Sequence, residues 1–182
     1  MPGKFLSHAA IMTAIQTWMK AQVLVPSTPS TPAVNLFDDV QFYSQPNLLL
    51  AMQELKTFKN RICLIVPTFD EYQYQMSGAS VEVHVEREFI FLFCDKDVGF
   101  RQKASTGDPN DPAHPGVLAL AEYLENNLIC QNFNFLPVLL RLRPVNGEAF
   151  IMQDKTRADL AGRLGWKMLW RAGAADQVFS VR

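Results

Sequence analysis

The stretch ASVEVHVEREFIFLFC, residues 79–94, alternates with a period of two. Val81, Val83, Val85, Phe89, Phe91 and Phe93 fall on one face, and Glu82, His84, Glu86 and Glu88 on the other, until Ile90, Leu92 and Cys94 make both faces apolar. Such a pattern predicts one long strand, half exposed at its start and covered on both faces at its end. Upstream, RICLIVP (61–67) is a short apolar run closed by proline and predicts a buried strand, with DEYQYQMSG (70–78) as a polar connection. Downstream, DKDVGFRQKASTGDPNDPAHP (95–115) holds three prolines, two glycines and no period, which predicts a long loop of the kind that is functional or mobile.

Helical spacing flanks this strand pair. Ile11, Ile15, Trp18 and Gln22, widened by Leu6, Met12 and Met19, predict a helix over 5–24, ended by Pro26. The segment STPSTP (27–32) predicts an extended connector, and 33–43 a short strand or ordered loop. A second helix is expected from Pro46, which suits a first turn, to Phe58. GVLALAEYLENNLIC (116–130) predicts a helix with Val117, Leu120, Leu124 and Leu128 inward. A strand over 136–143, a hairpin turn at Asn146-Gly147, a partner strand over 148–153, a polar turn at 154–157 and a last strand over 160–170 complete the order. The tail, 172–182, reads as loose. The expected fold is a single α+β domain over residues 1–182, an antiparallel or mixed sheet of four to five strands with helices packed on one face.

Composition narrows the function classes. At 182 residues, 48% apolar and 19% charged, the chain is long enough for one domain with its own core. Seventeen basic residues against 18 acidic give a net charge of −1, without the electrostatic footprint of a nucleic-acid binder. No apolar run approaches the roughly 18 residues of a membrane span, and the polar residues inside the first helix speak against an export signal. Cys63, Cys94 and Cys130, separated by 31 and 36 positions, fit neither a zinc site nor a paired disulfide framework. They read as buried reduced thiols of a protein from a reducing compartment.

Catalytic and metal chemistry finds little support. None of His8, His84 and His114 has a histidine or cysteine three or four residues away or sits in an HExxH-like setting, and no phosphate-binding glycine motif is present. Cys94 with His84 or His114 lacks an activating group, and Asp95, Asp97, Asp108 and Asp111 lack the spacing and closing glutamate of an EF-hand, so they read as a solvated loop. No catalytic residue, cofactor or metal is expected, and the chain reads as a non-enzyme. What stands out is an acidic strand face (Glu82, His84, Glu86, Glu88) and a basic C-terminal half that includes Arg163, Lys167 and Arg171. These are the candidate interface residues.

In the order of its elements the chain resembles the tail-terminator (tail-completion) proteins of long-tailed bacteriophages and prophages. The resemblance lies in the opening helix with AIMTAIQTWM, the NLFDD segment leading to RICLIVP, the long VEVHVEREFIFLF strand, the ALAEYLENNL helix and the closing AGRLGWKMLWR strand. The STPSTP connector, the helix at 46–58 and the 21-residue loop are additions to that layout. The resemblance implies a structural assembly protein that forms a homo-oligomeric ring, typically hexameric, on the end of a tail tube. Such a ring faces the head-connector proteins, without membrane or direct nucleic-acid contact, in the host cytoplasm or the virion. On this view Glu82, Glu86 and Glu88 meet Arg163, Lys167 or Arg171 of a neighbour. Neck or connector proteins of the same junction, and a small bacterial α+β adaptor domain that binds proteins, are the alternatives.

Overall fold

The computed structural model of the chain describes residues 7–30, 32–43, 47–55, 61–77, 80–95, 106–108, 110–111, 113–129, 131, 140–152 and 163–174. The helix α1 (His8–Ala21) opens on Ser7, whose hydroxyl accepts from the Ala10 N–H at 3.1 Å. Its buried side chains, Ile11, Met12, Ala14, Ile15 and Met19, are the stripe expected from their spacing. Val23–Val25 (β1) and Val34–Asn35 (β2) form a small antiparallel pair, so the proline-rich connector is the loop between them.

The main sheet has five strands: β3 (Asp39–Phe42), β4 (Ile62–Ser77), β5 (Ser80–Cys94), β6 (Leu140–Met152) and β7 (Arg163–Ala174), in the order β3-β4-β5-β7-β6. β3 runs parallel to β4 and every other pairing is antiparallel. The α+β fold with a mixed sheet is therefore as expected. Three details differ. Pro67 does not end β4: it sits at a bulge between Pro67 and Phe69, past the last pairing with β3 at Ile65, so its missing N–H costs the sheet no ladder bond on that side. The Asn146-Gly147 pair is not a hairpin turn but lies inside β6, which pairs with β7 from Leu140 to Met152 and absorbs the irregularity as a bulge between Pro144 and Asn146. β7 continues through Ala172 to Ala174, into the stretch read as a loose tail.

A fourth difference is in the layers, where helices were expected on one face only. The helices α1 and α3 (Gly116–Leu128) cover one face, where Phe89, Phe91, Phe93, Met168 and Trp170 pack with Ile15, Met19, Leu120 and Leu124. The helix α2 (Leu48–Leu55) covers the other, packing Ala51 and Leu55 on Ile62, Leu64, Val66, Ile90 and Leu92. Helices on both faces answer the doubly apolar end of β5, which must be covered twice. No helix among the described residues is long and apolar enough to cross a membrane.

One buried ion pair ties the layers together. Arg61, wholly buried at the start of β4, donates through Nε to Asp95 Oδ1 at 3.0 Å and through Nη1 to the Asn35 carbonyl at 3.1 Å. Its Nη2 also donates to the Ala113 carbonyl. Asp95 accepts the Gly116 N–H at 2.7 Å on its second oxygen, which places the start of α3. Asp95 is thus a buried structural acid rather than part of a solvated acidic loop: it is 1% exposed. Nearby, Gly107 holds φ at +84°, and a Cβ there would stand 2.5 Å from the Pro115 carbonyl oxygen.

Cys63 and Cys94 are buried and not disulfide-bonded, as expected; Cys130 lies outside the described residues. Burial pushes the Cys63 thiol well above the ordinary range, and the neighbouring Cys94 adds to the shift. The raised value means the folded state prefers the protonated thiol. This contribution to stability is complete below about pH 8.5, the pKa of an unfolded cysteine, and is lost as the pH rises above it. Native protein at pH 8 is expected to leave Cys63 unreacted with a disulfide reagent, and urea-unfolded protein to react at once; mass spectrometry of the labelled peptide reads the outcome.

Candidate interaction surface

The strands β4 and β5 are longer than their neighbours. β7 pairs with β5 only from Glu86 to Cys94, and β3 pairs with β4 only from Ile62 to Ile65. The pairing between β4 and β5 nevertheless continues out to Ser77 and Ser80. Residues 80–85, at roughly 3.3 Å per residue, carry this two-stranded arm about 20 Å beyond the sheet. The stretch DEYQYQM, expected as a connection, is one side of the arm.

The arm has two unlike faces. Tyr72, Tyr74 and Met76 are 49%, 70% and 74% exposed, and they stand in register opposite Val85, Val83 and Val81. Val85 is buried where this row meets the core. The register on the opposite face pairs Glu71 with Glu86, Gln73 with His84 and Gln75 with Glu82. The side chains of Glu82 and His84 lie outside the described residues, as does that of Arg163, which stands opposite Met152 at the far end of β7.

Glu86, Glu88 and Arg171 do come together, within one chain. Arg171 reaches Glu88 at 3.2 Å, Glu71 at 3.3 Å and Glu86 at 3.7 Å, and Arg143 grips Glu86 at 2.7 Å. Two glutamates directly opposite each other repel, so the pair Glu71 and Glu86 depends on these guanidinium groups. Thr68 adds a hydroxyl bond to the Glu88 carbonyl at 3.2 Å. Lys167 is paired with Glu148 on β6 instead. Arg171 and Lys167 were expected to reach across to a neighbouring chain; the twist and register of β7 beside β5 and β6 bring these partners to them locally. Each such half-exposed pair is worth about 0–1 kcal/mol and fixes orientation more than it stabilises.

The arm's base is pinned on the other face. His8 Nε2 lies 2.7 Å from Asp70 Oδ1, Arg87 pairs with the same carboxylate, and the His8 ring stands edge-on to Phe89 at 5.5 Å. His8, Pro67, Thr68, Phe69 and Asp70 line an open cleft of about 490 Å³ there. His114 is 3.5 Å from Asp111 in the loop before α3, and Cys94 is buried under α2. Among the described residues no three histidine, cysteine or acidic side chains gather as a metal site.

No model of a known protein family matches the chain, and no curated protein matches it significantly.

Proposed function

We propose that the chain is a structural assembly protein of a phage or prophage tail, acting as a tail terminator does: a homo-oligomeric ring on the end of a tail tube, facing the head connector. The observation that carries this is the arm. A two-stranded hairpin has marginal stability alone, and a row of exposed Tyr72, Tyr74 and Met76 on it is a surface for another protein to cover. Tyrosine and methionine are residues that protein interfaces use, while strongly charged interface centres are avoided. The arrangement of α1, the long strand β5, α3 and the closing strand β7 supports the family resemblance on which the ring and its location in the host cytoplasm or virion rest.

Light scattering over a concentration series, with negative-stain microscopy of the same samples, tests the proposal. A discrete closed oligomer with annular particles is expected. A mass that stays at one chain throughout moves the assignment to an adaptor domain whose arm binds a different protein.

A further inference from the structure

We infer that the arm of one copy docks along the outer edge of β6 in the next, so that copies associate head to tail. The inference rests on the assembly reading above and adds to it the receiving surface. The two ends of the main sheet are unlike. β4 beyond Pro67 has no neighbour on its outer edge among the described residues, and β6 is the last strand at the sheet's opposite end. Residues 143–149 of β6 are exposed without a break, with Val145 46% exposed. Long, open edges of this kind invite pairing with another strand.

Charge selects which edge meets which. The arm and its base, residues 68–88, carry five carboxylates (Asp70, Glu71, Glu82, Glu86, Glu88) against Arg87 alone. The β6–β7 ladder carries Arg141, Arg143, Arg163, Lys167 and Arg171 against Glu148 alone. Many of these charges are paired within the chain: Glu71, Glu86 and Glu88 with Arg143 and Arg171, Asp70 with Arg87, and Lys167 with Glu148. The excess that is left is acidic on the arm and basic on the β6–β7 ladder, so it disfavours arm against arm and orients arm against β6. The seam between β5 and β7 shows this attraction inside one chain, where Arg171 and Arg143 hold Glu71, Glu86 and Glu88. Pro144 and its bulge remove a backbone donor from β6, so side chains rather than an unbroken ladder carry the contact. The Tyr72, Tyr74 and Met76 row supplies its apolar part. Because donor and acceptor are different surfaces, the contact is heterologous, which builds rings where the rotation closes and filaments where it does not.

Two full-length variants test this: Tyr74→Ser with Met76→Ser, which disables the arm, and Val145→Glu, which puts a like charge on the receiving edge. All three positions are exposed, so each variant should fold with near wild-type circular dichroism and melting. Each alone is expected to weaken association by about 30-fold. Mixed in equal amounts, they are expected to form a one-to-one pair and nothing larger, since one intact arm meets one intact edge. Analytical ultracentrifugation reads the masses. Wild-type assembly that survives both variants, or variants that do not pair on mixing, overturns the arm-to-β6 contact while leaving a ring joined through other surfaces standing. A mixed pair from a wild type that builds open filaments supports the contact and sinks the ring. A wild type that stays at one chain at every concentration overturns the contact.

Discussion

Arg61→Met is expected to lower the unfolding free energy by about 3–5 kcal/mol, because it leaves Asp95 buried without its countercharge. Both side chains of the pair are fully buried, so solvent does not screen the loss. The cost has a second part: the Leu36 carbonyl, a buried acceptor that Arg61 Nη1 also reaches at 3.4 Å, loses its donor, and an unsatisfied buried acceptor costs on the order of 1–3 kcal/mol. Asp95→Leu alone has a different consequence. It strips the Gly116 N–H of its acceptor at the start of α3 and leaves Arg61 as the uncompensated ion. The double variant Arg61→Met with Asp95→Leu separates pairing from packing. Urea titration of the three proteins is expected to give a double variant less destabilised than the two single costs added together, because no lone charge remains in it. Strict additivity would mean that the two groups act independently, contrary to the 3.0 Å contact between them.

This pair also marks where legibility in the sequence stops. Arg61 opens an apolar run and Asp95 closes another, positions at which a charge normally reaches for water, and 34 residues separate them. Nothing local says that two strand ends will be buried side by side. The core of β5 was legible because its alternation is enforced over more than a dozen residues and a one-residue slip would expose every phenylalanine. β4 was half legible. Tyr72, Tyr74 and Met76 do alternate with Glu71, Gln73 and Gln75, but Pro67 carries the stronger local signal, and only the missing neighbour on β3's side makes that proline harmless. Asn146-Gly147 shows the reverse error: a strong turn signal yielded to twelve pairings with β7 along a continuous strand. For the candidate interface, the residue types were legible and their partners were not. Alternation placed Glu86 and Glu88 on one face, but the order β5-β7-β6, which hands them Arg171 and Arg143 of the same chain, is a property of the whole sheet.

The second large effect is expected at Trp170, wholly buried on β7 between the arm's base and the helices. It lies in register with Phe89 on one side and Pro144 on the other, and its ring meets Phe91 at 5.8 Å between centroids. Trp170→Ala empties a volume that strands paired on both sides cannot collapse to fill, and a loss of about 3–5 kcal/mol is expected. Trp170→Phe is the informative partner. The indole Nε1 is buried and has no hydrogen-bond partner, so phenylalanine removes an unsatisfied donor along with part of the ring. The two effects oppose each other, and a net loss of about 1 kcal/mol is expected, far below the alanine value. Thermal melts of both variants decide it: equal losses would mean that the N–H holds something the core needs. Because Trp170 lies inside the fold and the arm's exposed row outside it, Trp170→Phe is also expected to leave the association constant at its wild-type value. A fall in association comparable to that of Tyr74→Ser with Met76→Ser would instead make the sheet's core, and not the arm alone, responsible for presenting the contact.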